Sequence, residues 1–243
     1  MNVVLATTTY YQNPHDLRYL LAKETVRLAG EAGLPIMVVD GAPGLSFSTE
    51  LRQQGAEVYP QTLAGMGSAR RLAFFYALNY LLCRRKLPDG IVIWLEPEKT
   101  DLIRFVPRII KPIIDNKADV VIPSRSPKSW ASYPVFQQTS EQDANRVYEQ
   151  VTQRRGFDPM FGPVAFRATF LLTHFVHPFS PDTYIQHFIP MLVPNNRVAS
   201  VETDFIYPPE QKKSEDNDEK MTRKREEQNR VLKKAYLMLA PTS

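Results

Sequence analysis

The chain has 243 residues, 43% of them apolar and 23% charged, which is enough for one large domain or one and a half and places its bulk outside the disordered and membranous classes. A net charge of +4 with a pI near 9.1 suits anionic small substrates or a membrane surface and falls short of nucleic-acid binding, so no nucleic-acid partner is expected. The single cysteine, Cys83, rules out an internal disulfide framework and a cysteine zinc site, and its apolar helical surroundings predict a buried thiol.

Residues 2–6 (NVVLA) read as a buried first strand, stopped by Thr7, Thr8 and Thr9. A helix follows, with Leu17, Leu20, Leu21, Val26 and Leu28 on its apolar face and Gly30 and Gly33 at its end. Residues 35–40 (PIMVVD) form a second strand that ends in an acid, Asp40. After a short helix near 48–54 and a third strand at 56–59, Gly65 and Gly67 open a strongly apolar helix reaching Leu82. Residues 91–95 (IVIWL) are a fourth strand, buried on both faces, that runs into Glu96-Pro-Glu98-Lys99. A helix over 103–116 carries Pro107 and Pro112 and should be bent or broken. A fifth strand spans 119–123, and a polar connector spans 124–134.

Helices are predicted at about 140–152, 168–174 and 181–191, with a late or edge strand within 198–207. From Pro208 the chain turns densely charged, a loose arm ending in an amphipathic helix with Val231, Leu232, Ala235, Tyr236 and Leu239 on one face. That helix packs back on the body or meets a membrane or a partner. No run approaches 18 apolar residues and no leader pattern opens the chain, so a cytoplasmic location is expected.

Strand and helix alternate over residues 2–123, which implies a mostly parallel, doubly wound sheet, and ligands of such sheets bind beyond the carboxyl ends of the strands. Thr7 to Thr9, Asp40, the Gly65 loop, Glu96 with Glu98, and Arg125 all stand at such ends. In an extended segment Glu96 and Glu98 point to the same side, so both carboxylates can hold a hard divalent cation and, through it, a diphosphate. Lys99 can touch the same anion. A solvated loop tip is the alternative reading of this stretch.

The order of these features resembles the nucleotide-sugar glycosyltransferases of the GT-A fold. The likeness is strongest to the family 2-like group that includes polyprenyl-phosphate mannosyl and glucosyl transferases and glycerate glycosyltransferases. It is carried by the first strand with its polar turn, Val38-Val-Asp40, Gly65-Met-Gly-Ser-Ala-Arg-Arg71 and Ala118-Asp-Val-Val-Ile-Pro-Ser-Arg125. The resemblance implies a Rossmann-like sheet flanked by helices, with a nucleotide-sugar-binding half at 1–125, an acceptor-side half at 126–207 and a charged arm and amphipathic helix at 208–243. It implies transfer of a sugar from a nucleotide-diphosphate donor to a hydroxyl acceptor, assisted by Mg or Mn.

On this reading Thr7, Thr8, Asp40, Gly65, Gly67, Arg70, Arg71 and Arg125 contact the donor, Glu96 and Glu98 hold the metal, and Glu98, Lys99 and Asp182 carry the chemistry. Asp182 serves as a base on the acceptor or merely caps a helix. His174, His177 and His187 read as structural or surface histidines or as a late metal ligand, and Tyr133, Gln137 and Gln138 as acceptor-cleft candidates or polar helix edges. The family usually has Asp-x-Asp where this chain has Glu-Pro-Glu. A sugar nucleotidyltransferase would carry a Gly-rich basic loop after the first strand, where Thr7-Thr-Thr-Tyr10 stands instead; a non-catalytic binding or adaptor protein is the other alternative. Peripheral membrane contact through the last helix and a homodimer are compatible with this reading.

Overall fold

A computed structural model describes residues 2–42, 46–175, 184–216 and 218–238, the Met221 side chain excepted. Seven strands form one sheet in the order β3-β2-β1-β4-β6-β5-β7. They are β1 (Val3–Thr9), β2 (Ile36–Asp40), β3 (Glu57–Pro60), β4 (Ile91–Trp94), β5 (Val120–Arg125), β6 (Val164–Arg167) and β7 (Val198–Thr203). The helices are α1 (Leu17–Glu31), α2 (Ser46–Gln53), α3 (Met66–Cys83), α4 (Val106–Ile114), α5 (Pro127–Ser132), α6 (Val135–Thr152), α7 (Ala168–His174), α8 (Ile185–Phe188), α9 (Pro209–Glu215) and α10 (Glu219–Met238).

Two compact units share the chain: residues 1–121 with 162–199, and residues 122–161 with 200–243. They interleave along the sequence instead of following it in blocks.

In the first unit the apolar runs read as strands do pair in parallel. Thr9 lies opposite Asp40, Asp40 opposite Pro60, and Ala6 opposite Trp94. Residues 4–6 and 37–39 have no exposed surface, as expected of strands covered on both faces. α3 packs against β1, β2 and β4, with Phe74 between Trp94 (5.6 Å) and Phe166 (5.7 Å). Because the chain builds β1, β2 and β3 in one direction and then returns to place β4 on the other side of β1, the winding reverses between β1 and β4. A crevice opens at such a reversal, beyond the carboxyl ends of the strands.

Several local expectations change. β6, for which the sequence predicts no strand, is inserted antiparallel between β4 and β5, so the sheet is mixed. Its four residues are too few to show alternation, and only pairing on both sides identifies them. Cys83 is exposed, not core, because α3 ends there and turns Leu78 and Leu81 inward in its place. Leu20 likewise faces solvent, while Tyr19, Ala22, Val26 and Ala29 make the inner face of α1. The break anticipated in the fourth helix occurs at Pro107: a 3-10 turn over Thr100–Phe105 gives way to α4, where proline takes the start of the helix and loses no bond.

In the second unit the connector after β5 holds a helix. Ser126 Oγ accepts the Ser129 N–H at 3.2 Å and Pro127 stands at the first turn, a capping signal present in the sequence and passed over. The charged arm is also helical. Glu215 of α9 is buried and accepts from Gln137 Nε2 (2.6 Å), Tyr207 Oη (2.8 Å) and Gln211 Nε2 (3.1 Å), and α10 lies on α6 with Leu232 and Tyr236 buried and Tyr236 against Tyr148 at 5.3 Å. A run rich in charge reads as loose from composition; three donors on one buried carboxylate and an aromatic seam order it. Among the described residues no helix is long and apolar enough to cross a membrane.

Asp119 ties the starts of β5 and β7 to the end of the antiparallel β6. Its carboxylate accepts Arg167 Nε at 2.8 Å and Arg197 Nη2 and Nε at 2.7 and 2.8 Å. Hydrogen bonds from Arg197, then those from Arg167, hold its pKa below the ordinary 3.8 against the opposing effect of burial. A depressed folded pKa adds stability that is present above the unfolded value and is lost as pH falls through the folded one. Asp119→Asn is therefore expected to cost about 1.5–3 kcal/mol at pH 7, measured by urea unfolding, with the gap to the unchanged protein closing below pH 4. A gap that does not change with pH would show that the ion pairs contribute nothing.

Candidate functional site

Two groups of side chains stand at the reversal between β1 and β4, and both belong to the first unit. The first is centred on Asp40, which is buried at the end of β2. Thr9 Oγ1 donates to its Oδ1 at 2.9 Å, Ser48 Oγ to its Oδ2 at 2.6 Å, and the Ala42 N–H to Oδ1 at 3.1 Å. Three donors fix the carboxylate and still leave it acceptor capacity. Thr7 is fully buried two residues before Thr9, and its Oγ1 has no hydrogen-bond partner among the described residues. Thr8 alternates to the other face of β1 and is half-buried. Ser48 had no signal in the sequence beyond its short helix.

The second group follows β4. Residues 96–99 are a turn closed by Lys99 N–H donating to Glu96 O at 3.0 Å, with Pro97 at its second position. The extended geometry expected for Glu96 and Glu98 is thus replaced by a turn, which proline at that position favours. Each carboxylate has its own partner. Glu96 pairs with Lys99 Nζ at 2.8 Å, the lysine side chain being 10% exposed. Glu98 accepts Tyr11 Oη at 3.1 Å. Burial, the largest effect, and the nearby Glu96 charge raise the pKa of Glu98, while Arg18 opposes them. The Tyr11 hydroxyl is raised in turn by burial and by Glu98.

The α3 residues meet this group from above the sheet. Gly65 stands before the helix with φ of +100°, a conformation glycine adopts without strain, and no side chain caps the first turn. Gly67 is buried within that turn. The uncapped end of an 18-residue helix presents N–H groups and positive potential, which suits an anion. Arg70 is 9% exposed, with its guanidinium 5.4 Å from the Trp94 ring and 5.2 Å from the Tyr184 ring. Burial lowers its pKa to about 10, against the stabilising charge of Glu96. Arg71 donates through Nη1 to Phe175 O at 2.5 Å.

The structure therefore gathers Thr7, Asp40, Gly67, Arg70, Glu96, Glu98 and Lys99 around three adjacent strand ends and the first turn of α3. β2 and β4 flank β1, so Asp40 and the Glu96 turn stand about two strand spacings apart, roughly 10 Å. Arg125 is placed otherwise, in the second unit. Its side chain has no exposed surface; Nε and Nη2 donate to Asp158 at 2.7 and 2.8 Å, Nη1 donates to Glu141 at 2.6 Å, and its plane lies 3.5 Å from the Trp130 ring centroid. The donor role expected of Arg125 thus meets a guanidinium already enclosed by two carboxylates and an aromatic ring. Tyr133 is buried 4.5 Å from the Tyr207 ring, Gln137 is held by Glu215, and Gln138 Nε2 donates to Tyr133 O at 2.8 Å. Asp182 and His177 lie outside the described residues.

Among the described residues no three of His, Cys, Asp or Glu converge into a metal cage. Glu96 and Glu98 are close enough for the charge of one to raise the pKa of the other, and a hard cation relieves that repulsion. Two carboxylates with further positions left to phosphate oxygens and water are a donor set that Mg or Mn accepts. The residues fit a shared cation, not an all-protein site.

No protein-family model matches the chain, and no curated protein matches it by sequence. Solved structures do match. Glucosyl-3-phosphoglycerate synthase from Mycobacterium tuberculosis with phosphoglyceric acid aligns at TM-score 0.60 and 14% identity over 100% of this chain and 81% of that one. The same enzyme with Mn2+, uridine diphosphate and phosphoglyceric acid aligns at 0.57 and 13% over 96% and 78%. With Mn2+, uridine-diphosphate-glucose and phosphoglyceric acid it aligns at 0.54 and 12% over 96% and 79%. At that identity the likeness speaks for architecture, and with the strand order, the reversal at β1 and β4 and the inserted antiparallel β6 it establishes that this chain has the GT-A fold.

Proposed function

We propose that the chain transfers a sugar from a nucleoside-diphosphate donor to a hydroxyl acceptor. The observation that carries this reading is the arrival of Asp40 with its hydroxyl donors, and of Glu96 with Lys99 and Arg70, at neighbouring strand ends beside an uncapped helix start. The solved synthases of the same fold hold uridine diphosphate, uridine-diphosphate-glucose, phosphoglyceric acid and Mn2+ or Mg2+ in their own structures, which supports the same class of ligands here.

Asp40, fixed by Thr9 and Ser48, is suited to accept hydrogen bonds from the nucleoside. Lys99 and Arg70 place positive charge where the departing diphosphate gathers negative charge, which lowers the barrier to leaving. When bound by Glu96 and Glu98, a divalent cation supplies Lewis-acid stabilisation of that same charge. Asp182 is kept as the base on the acceptor hydroxyl, its test being Asp182→Asn. Of the sequence-level alternatives, the nucleotidyltransferase and the adaptor have no specific observation in their favour.

The experiment is a thermal-shift screen of nucleoside diphosphates and their glucose and mannose derivatives, with and without Mn2+, followed by product analysis with phosphoglycerate and other hydroxy acids. A ligand that binds only the folded state raises the melting temperature by mass action. If no nucleotide raises it, the reading fails. Within the same assay, Asp40→Asn is expected to weaken donor binding by about tenfold, the loss of a hydrogen bond to a charged acceptor. Unchanged affinity measured by titration calorimetry would remove Asp40 from the site.

A further inference from the structure

The pairing of β4 with β6 extends beyond the last bonded residues. Trp94 lies opposite Val164 in antiparallel register, so two residues further on Glu96 falls opposite Gly162. Gly162 has φ of +100°, and a Cβ built on it would lie 3.0 Å from Glu96 Oε1, 3.1 Å from its Cδ and 3.4 Å from Oε2. Lys99 Nζ stands 2.8 Å from Oε2 of the same carboxylate. Glu96 thus meets both an ammonium group and bare backbone.

We propose that Gly162 is a positioning residue of the donor site: its missing side chain leaves the room in which the Glu96 carboxylate sits against Lys99. The inference rests on the glycosyl-transfer reading. A methyl group at 162 takes the room beside Oε1. Because the group it meets is the far end of a flexible side chain, the strands need not move; the carboxylate turns away instead. The effect therefore falls on ligand binding through Glu96, beyond whatever the left-handed backbone imposes on an L residue. A role in the turn alone would give strain and nothing more.

The two contributions separate in a double-mutant cycle. Titration calorimetry of uridine diphosphate with Mn2+ is run on the wild-type chain, Gly162→Ala, Glu96→Asp and the double variant, each with a thermal melt. Aspartate is one methylene shorter and withdraws from the added methyl, whereas the backbone strain is the same in both Gly162→Ala proteins. Gly162→Ala is expected to bind about tenfold more weakly or worse, and Glu96→Asp to recover part of that loss in the Gly162→Ala background although it weakens binding alone. Wild-type affinity in a folded Gly162→Ala protein overturns the inference, and so does an equal loss in the double variant, which would leave strain as the whole cause. If Gly162→Ala does not fold, a double variant that folds supports the inference, and one that also fails to fold overturns it. Absence of nucleotide binding by the wild-type chain overturns the glycosyl-transfer reading and this inference with it, whereas tight wild-type binding left intact by Gly162→Ala overturns this inference alone.

Discussion

Glu96→Gln is expected to lower glycosyl transfer by about 10²–10³-fold while leaving the circular dichroism spectrum unchanged, which corresponds to roughly 3–4 kcal/mol of transition-state stabilisation. The side chain keeps its shape, but the charge that pairs with the Lys99 ammonium, 2.8 Å away, is gone, and so, on the proposed reading, is an oxygen ligand for the cation. Glu98→Gln should also slow turnover, for loss of the second ligand. Its cost to folding should be small, because burial already presses Glu98 towards its neutral form and an amide oxygen can still accept the Tyr11 hydroxyl. The pair separates function from architecture. Should both variants keep near-wild-type turnover with a verified donor, these carboxylates are turn residues and the chemistry lies elsewhere.

Arg125→Met should unfold the protein more easily by about 3–5 kcal/mol, read from urea denaturation, because removing one partner of a buried ion cluster leaves uncompensated charge inside. Burial works against the charge of Arg125, and Asp158 and Glu141 outweigh it, raising the guanidinium pKa. With the arginine gone, two buried carboxylates remain, Asp158 also accepting Asn145 Nδ2 at 2.6 Å. Protonation relieves the cost of burying carboxylates that have lost their cation, so the variant should recover part of its stability as pH falls from 7 towards 5, opposite in sign to the Asp119 pairs. A variant of unchanged stability that binds donor poorly would restore Arg125 to the donor role that sequence order assigned to it.

Three of the first four strands were legible because a strand covered on both faces must be apolar throughout, and 3–6, 36–39 and 91–94 are. Asp40 and the Glu96 stretch were legible for a related reason: charge that directly follows such a run has to emerge at the rim of the sheet. Arg125 was misleading on the same logic. It ends β5 as Asp40 ends β2, and nothing local distinguishes an arginine that faces a ligand from one that Asp158 and Glu141 enclose from 33 and 16 residues away. Tyr11 and Gly162 have no local signal because each is defined by a partner distant in sequence, Glu98 and Glu96, and Ser48 because its partner Asp40, eight residues away, lies on another element.

By itself, then, the sequence determined the alternation of strand and helix, the fourfold parallel core and the end of the sheet where charge collects, since these follow from periodicity and from the cost of burying polar groups. Tertiary structure alone decided that Glu98 of the Glu96-Pro-Glu98-Lys99 turn meets Tyr11, that β6 enters antiparallel beside β4 and brings Gly162 against Glu96, and that the charged arm is helical. Those outcomes depend on which segments meet across the fold. The Tyr11–Glu98 hydrogen bond, an antiparallel register and a buried carboxylate with three donors each need two segments to exist, and one-dimensional spacing carries no information on their meeting.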